Sequence, residues 1–210
     1  MRFWVKQVVK EYLKQKWYLI LFVTVFLCMG VFFGATAAKV ISTDQADHLS
    51  AYLHGFLDKV SSTPVSEQSY LRQTVFNNLY ILIAIYVLGL TVVGIPAVLA
   101  AVFTRGFILG FTIGFLVREM AFKGFLFALV SILPHNILVI PAVIAGGVAA
   151  LSFSGLMVKR RFRSGNASIT GYLGIYTAAM IILCLVTGAA GLVETYITPV
   201  FIKTAATYII

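Results

Sequence analysis

Five long apolar blocks, at residues 18–38, 75–104, 106–122, 124–157 and 171–193, are separated by short connectors that carry most of the charge. With 60% apolar residues in 210, a water-soluble fold would leave apolar surface exposed at about 25 cal/mol per Å². Lipid removes that cost. The first block, at 21 residues, reaches about 31 Å as a helix, which matches the hydrocarbon core. The reading is an all-α integral membrane protein with about five transmembrane helices, organised as a single multi-pass domain.

The basic residues sort by side. The arm (Arg2, Lys6, Lys10, Lys14, Lys16), Arg105 and the cluster Lys159, Arg160, Arg161 and Arg163 hold 10 of the 16 Lys and Arg, beside the single acid Glu11. Lys39, Lys59, Arg72, Arg118, Lys123 and Lys203 fall on the other side with Asp44, Asp47, Asp58, Glu67, Glu119 and Glu194, so charge there cancels. The positive-inside rule then places the N-terminus and nearly all of the net +9 in the cytoplasm. Short juxtamembrane basic runs point to anionic membrane lipids, at about 1 kcal/mol per residue, and not to nucleic acid.

Residues 1–17 read as a basic amphipathic helix on the inner leaflet, with Lys6, Lys10 and Lys14 in one row. Ala35, Thr36 and Ala37 resemble a signal-peptidase site, but the preceding apolar core is longer than the usual 7 to 15 residues; an uncleaved signal anchor is expected. Residues 39–74 form an extracytoplasmic loop in which Ala46, Leu49, Leu53, Phe56, Leu57 and Val60 recur at helical spacing. Asp44, after Ser42 and Thr43, is the expected N-cap. The apolar stripe needs cover from headgroups, the protein's own spans or a partner, which makes Leu49, Leu53, Phe56 and Leu57 candidate partner-binding residues. The helical bundle covers 75–193, and 194–210 form an extracytoplasmic tail.

Within the bundle, Gly94 and Pro96 predict a break in the second block, and Arg105 a cytoplasmic turn between the second and third. The fourth block is 34 residues, about 51 Å as one helix. A broken or re-entrant segment is therefore expected near Pro134, leaving open whether 124–133 spans. Gly106, Gly110 and Gly114 form a ridge for close helix packing. The run Ile95, Pro96, Ala97, Val98 is echoed at Ile140, Pro141, Ala142, Val143, in spans expected to run in one direction.

Chemistry has few places to reside. Arg118 and Glu119, with Lys123, read as an interfacial pair or a partner contact, and Glu194 as interfacial. Pro134, His135 and Asn136 bring donors and acceptors into a span, either as a hydrogen-bonded helix cap or as a functional polar site. A proton relay through His135 requires an acid at similar depth, for which Glu119 is the candidate. Cys28 and Cys184 lie in apolar blocks, and His48 and His54 lack ligand spacing, so neither metal nor cofactor is expected. No H-E-x-x-H, P-loop or span-centred acid is present, and Ser152, Phe153, Ser154, Gly155 lacks the leading glycine of a nucleophile elbow. A non-enzyme is expected.

The stretch 105–158, RGFILGFTIGFLVREMAFKGFLFALVSILPHNILVIPAVIAGGVAALSFSGLMV, resembles the stage II sporulation protein M family of endospore-forming bacteria. So do GVFFGA at 30–35, the Tyr52-Leu53 pair in the acidic loop and the order of the apolar blocks. The wider family often carries proline-histidine-glycine followed by an acid; here Asn136 replaces the glycine and no acid follows nearby. The resemblance implies a non-enzymatic scaffold in the mother-cell septal and engulfing membrane that localises two peptidoglycan-degrading enzymes, stage II sporulation proteins D and P. A transporter or permease-like subunit is the alternative, and homo-oligomerisation stays open.

Overall fold

A computed structural model describes the backbone of residues 2–62, 67–91, 94–162 and 169–196. The elements run α1 (Arg2–Val40), α2 (Thr43–Ser62), α3 (Glu67–Gly89), α4 (Gly94–Phe162) and α5 (Ile169–Tyr196). Three stretches among the described residues are long and apolar enough to cross a membrane: Lys16–Val40, Gly94–Lys159 and Thr170–Leu192. Leu79–Gly89 is a shorter apolar helix.

α1 bends at Lys16 (φ −122°, ψ 18°), where the basic arm meets the apolar span. Trp17 and Tyr18 are exposed just beyond the bend, as aromatic residues are at a headgroup boundary. The side chains of residues 2–15, on which the arm's amphipathic face rests, lie outside the described residues.

Helix α4 doubles back on itself. Ala121 has φ 49° and ψ −127°, a conformation L-residues rarely adopt, and after it the chain reverses. A Cβ on Gly124 would run into the Leu116 carbonyl; in a straight helix those residues stand about 12 Å apart. Leu116, Phe127 and Ala128 form a small buried cluster at the tip. The two legs, 94–120 and 122–162, are therefore antiparallel, and the repeated Ile-Pro-Ala-Val runs point in opposite directions, which corrects the expectation of one.

Two further expectations fail in α4. Arg105 lies inside the first leg, with no turn there, because the second and third blocks share one helix after Gly94. Pro134 does not break the chain either: Pro134 and Pro141 sit inside the second leg. An internal proline costs about 3 kcal/mol. A break at membrane depth would strand several backbone groups at several kcal/mol each. Ser131 Oγ donates to the Phe127 carbonyl at 2.7 Å and Asn136 Nδ2 to the Ile132 carbonyl at 2.8 Å on either side of the proline, while the carbonyl that Pro134 leaves without its helical donor is that of Val130. The reversal falls instead beside Arg118, Glu119 and Lys123, where the helix ends can be solvated.

The break expected near Gly94 and Pro96 does occur, with α3 ending at Gly89 and α4 starting at Gly94. Ser154 Oγ donates to the Thr91 carbonyl at 2.9 Å, and Tyr176 Oη donates to the Tyr86 carbonyl at 3.1 Å. Tyr176 stacks on Phe153, with ring centroids 4.9 Å apart. These contacts bind α3 and α5 to the base of the α4 hairpin. Val23, Leu82, Ile85, Val98, Val102 and Val139 form the centre of the core, while Phe22, Phe32, Ile175 and Leu185 are exposed. An apolar exterior is what lipid solvent requires.

Glycines set how closely α1 and α4 approach. A Cβ on Gly30 or Gly34 would strike the Phe103 or Phe107 carbonyl, and one on Gly106 or Gly110 the Leu27 or Val31 carbonyl. For Gly114 the nearest atom is Ala35 Cα at 2.9 Å. Residue numbers rise together along both helices, so α1 and the first leg run parallel, with backbones in contact over more than two turns.

Candidate functional site

Polar side chains gather at two places. The first is the rim at the α4 reversal. Arg118 Nη1 donates to the carbonyls of Ala38 and Ile41, each at 3.1 Å. These carbonyls sit at and just beyond the end of α1, where a helix leaves acceptors without intrahelical partners. The adjacent Glu119 accepts from Ser50 Oγ of α2 at 3.0 Å. One dipeptide thus holds the end of α1 and the first turns of α2.

α2 starts with Thr43, and Ser42 accepts the first helical hydrogen bond, from the Ala46 amide at 2.9 Å. Ser42 is the N-cap; Asp44 lies in the first turn, where its charge favours the helix dipole. Ala46 is buried, Leu49 half-buried, and Leu53 packs against the Leu116–Phe127–Ala128 cluster. The chain's own hairpin tip covers that part of the stripe. Phe56 and Leu57 fall within α2, but their side chains lie outside the described residues. Asp44, Asp47, His48 and Tyr52 face outward.

The second place is the middle of the bundle. Arg105 is about 16 Å along the first leg from Gly94 and within electrostatic reach of Glu194 and His135. His135 Nε2 stands 3.8 Å from Glu194 Oε2 and 3.0 Å from Asn136 Nδ2. The acid near His135 is therefore Glu194, not Glu119, and Glu194, just past the apolar stretch Thr170–Leu192, lies against α4. Sequence spacing could not reveal this, because the cluster is assembled from both legs of α4 and the end of α5. Pro134, half-buried, lies next to His135 on the second leg.

The hydrogen-bond geometry fixes the orientation of Asn136. Its amide nitrogen faces the Ile132 carbonyl, an acceptor only, so Oδ1 points the other way. With its second amide hydrogen on His135 Nε2, the neutral imidazole carries its proton on Nδ1. Asn136 Oδ1 and His135 Nδ1 are buried with no hydrogen-bond partner among the described residues. Such orphans cost about 1–3 kcal/mol each. Asn136, 3% exposed, also lines a cavity of about 510 Å³ whose other walls are apolar.

No curated protein and no solved structure matches the chain. A family model does, that of "Stage II sporulation protein M", over residues 23–199. That range takes in most of the span of α1, the rim, both legs of α4 and α5. The chain belongs to the stage II sporulation protein M family, and it is a membrane protein of that sporulation family.

Proposed function

We propose that this protein is a non-enzymatic scaffold that holds peptidoglycan-degrading enzymes at the septal and engulfing membrane of the mother cell. The observation that carries the reading is the family match over residues 23–199. Stage II sporulation proteins D and P are the partners that family membership implies. A scaffold works by confinement: holding two enzymes at one membrane edge raises their effective concentration without altering their chemistry.

The rim supports this reading. A hydrophilic helix is of use as a docking arm only when its position is fixed, and Glu119 accepts from Ser50 of α2 while Arg118 holds the end of α1 just before it. The enzymes work outside the membrane, so the proposed orientation keeps α2 extracytoplasmic. Nine of the ten inner basic residues still support it after Arg105 is removed from the count, and Lys16 and Lys159 lie close enough to interact. Of the loop stripe, Leu49, Phe56 and Leu57 remain proposed contacts; the surface around Tyr52, 76% exposed, joins them. Co-purification from sporulating cells tests this: Tyr52→Asp should reduce recovery of one or both hydrolases with membrane insertion intact. Full recovery from Tyr52→Asp and from Glu119→Ala would remove α2 from the interaction.

The polar cluster favours a second reading, a transporter or permease-like subunit, since ionisable groups inside a membrane often mark a conduction path. It requires His135→Ala to abolish solute movement in reconstituted vesicles. Wild-type vesicles impermeable to protons and common ions leave the scaffold reading alone.

A further inference from the structure

Two lysines from opposite ends of the chain meet at the basic edge of the bundle. Lys16 stands at the bend of α1, and exposed Lys159 lies about 7 Å beyond Ser154 towards the end of the second leg of α4. Leu19 and Ile20 of α1 and Met157 of α4 pack against one core, which brings the two ammonium groups within electrostatic reach. Packing therefore holds like charges side by side.

An anion placed between two such cations relieves their repulsion. The chain itself supplies little negative charge here. The nine basic residues of the arm and the 159–163 cluster are accompanied by one acid, Glu11, whose pairing still leaves eight positive charges. Trp17 and Tyr18, 62% and 56% exposed beside Lys16, mark the headgroup level, where the anions at hand are lipid phosphates. A phosphodiester has two unesterified oxygens, so one phosphate can accept from both lysines. The apolar span also restarts as a helix at the Lys16 bend, and a helix start adds positive partial charge.

We propose that Lys16 and Lys159 together seat the phosphodiester of one anionic phospholipid, with its acyl chains against Leu21 and Phe22, which are exposed on α1. The site needs both helices, so it exists only in the packed bundle. That separates it from the general attraction of a basic arm for an anionic surface. It is independent of the scaffold reading, whose failure leaves the lipid site untouched.

The test uses the full chain carrying Trp4→Phe, which leaves Trp17 as the one tryptophan. It is reconstituted in mixed vesicles of phosphatidylcholine and phosphatidylglycerol at about 0.1 M salt, where charges beyond about 10 Å are screened. Bromine is placed on the acyl chains of one lipid at a time, and quenching of Trp17 reports which lipid lies beside it. Phosphatidylglycerol should be preferred by about fivefold per lysine, the equivalent of about 1 kcal/mol for one juxtamembrane cation. Lys16→Gln and Lys159→Gln should each lower the preference about fivefold, and Arg163→Gln, which removes the same charge from the same cluster, by less than about twofold. Lys159→Arg, which keeps the charge, should retain it; loss there would trace the effect to packing and count against the site. Equal quenching by the two lipids in the parent overturns the proposal. Equal drops in all three glutamine variants do so too, by reducing the effect to diffuse surface charge. Loss of the preference on adding millimolar inorganic phosphate would assign the lysine pair to a free anion and overturn the lipid as its occupant.

Discussion

Arg118 caps α1 from a helix 80 residues away in sequence, its Nη1 standing 3.1 Å from the Ala38 carbonyl and equally near that of Ile41. A cation at a helix C-terminus gains from the dipole as well as from the hydrogen bonds. Glu119 next to it reaches α2 through Ser50, so the tip of the α4 hairpin ties the membrane domain to the extramembrane helix.

Arg118→Met, which keeps the side-chain bulk, should cost about 1–2 kcal/mol and loosen α2. Faster proteolysis within α2 in detergent, with far-ultraviolet circular dichroism unchanged, is the expected result. Equal cleavage rates would mean that the rim contacts do not restrain the helix.

Gly110→Leu should prevent assembly, since even a Cβ there meets the Val31 backbone. Gly155→Ala and Gly174→Ala, where nothing lies within 4 Å of the added carbon, should be neutral or slightly stabilising, by up to about 1 kcal/mol. Gel filtration and thermal melts in mild detergent compare the three.

Ala121 occupies a backbone region that glycine enters freely. Ala121→Gly should therefore stabilise the reversal by about 1 kcal/mol, and Ala121→Val should destabilise it by a similar or larger amount. A melting temperature that falls for both would argue against the turn.

Cysteine accessibility separates the hairpin from the arrangement that charge counting alone gives. A lone cysteine at Phe122 should label from outside and one at Lys159 from inside. Arg105→Cys should label from neither side, because Arg105 lies within the first leg of α4. Labelling at 105 from the cytoplasm would restore a turn there.

Tyr176→Phe removes the hydroxyl that donates to the Tyr86 carbonyl while keeping the stack on Phe153. A loss of about 1 kcal/mol is expected, with no change in topology. Tyr176→Ala, which loses the stack too, should cost several-fold more in thermal stability.

Much of this protein was legible in its residues. Hydropathy alone calls for helices in lipid. The period of Gly106, Gly110 and Gly114 announces a close helix contact, and the loop stripe announces α2. Local chemistry also marks the breaks after Gly89 and near Lys123. The same local reasoning misplaced Arg105 and the proline. It read a basic residue as the mark of a cytoplasmic turn and a 34-residue block as too long for one helix, whereas at membrane depth an intact helix outweighs either local preference. Only the tertiary structure decided that α4 turns back at Ala121 and that Arg105, His135, Asn136 and Glu194 meet. Those contacts join residues far apart in the chain, through packing that no local pattern encodes.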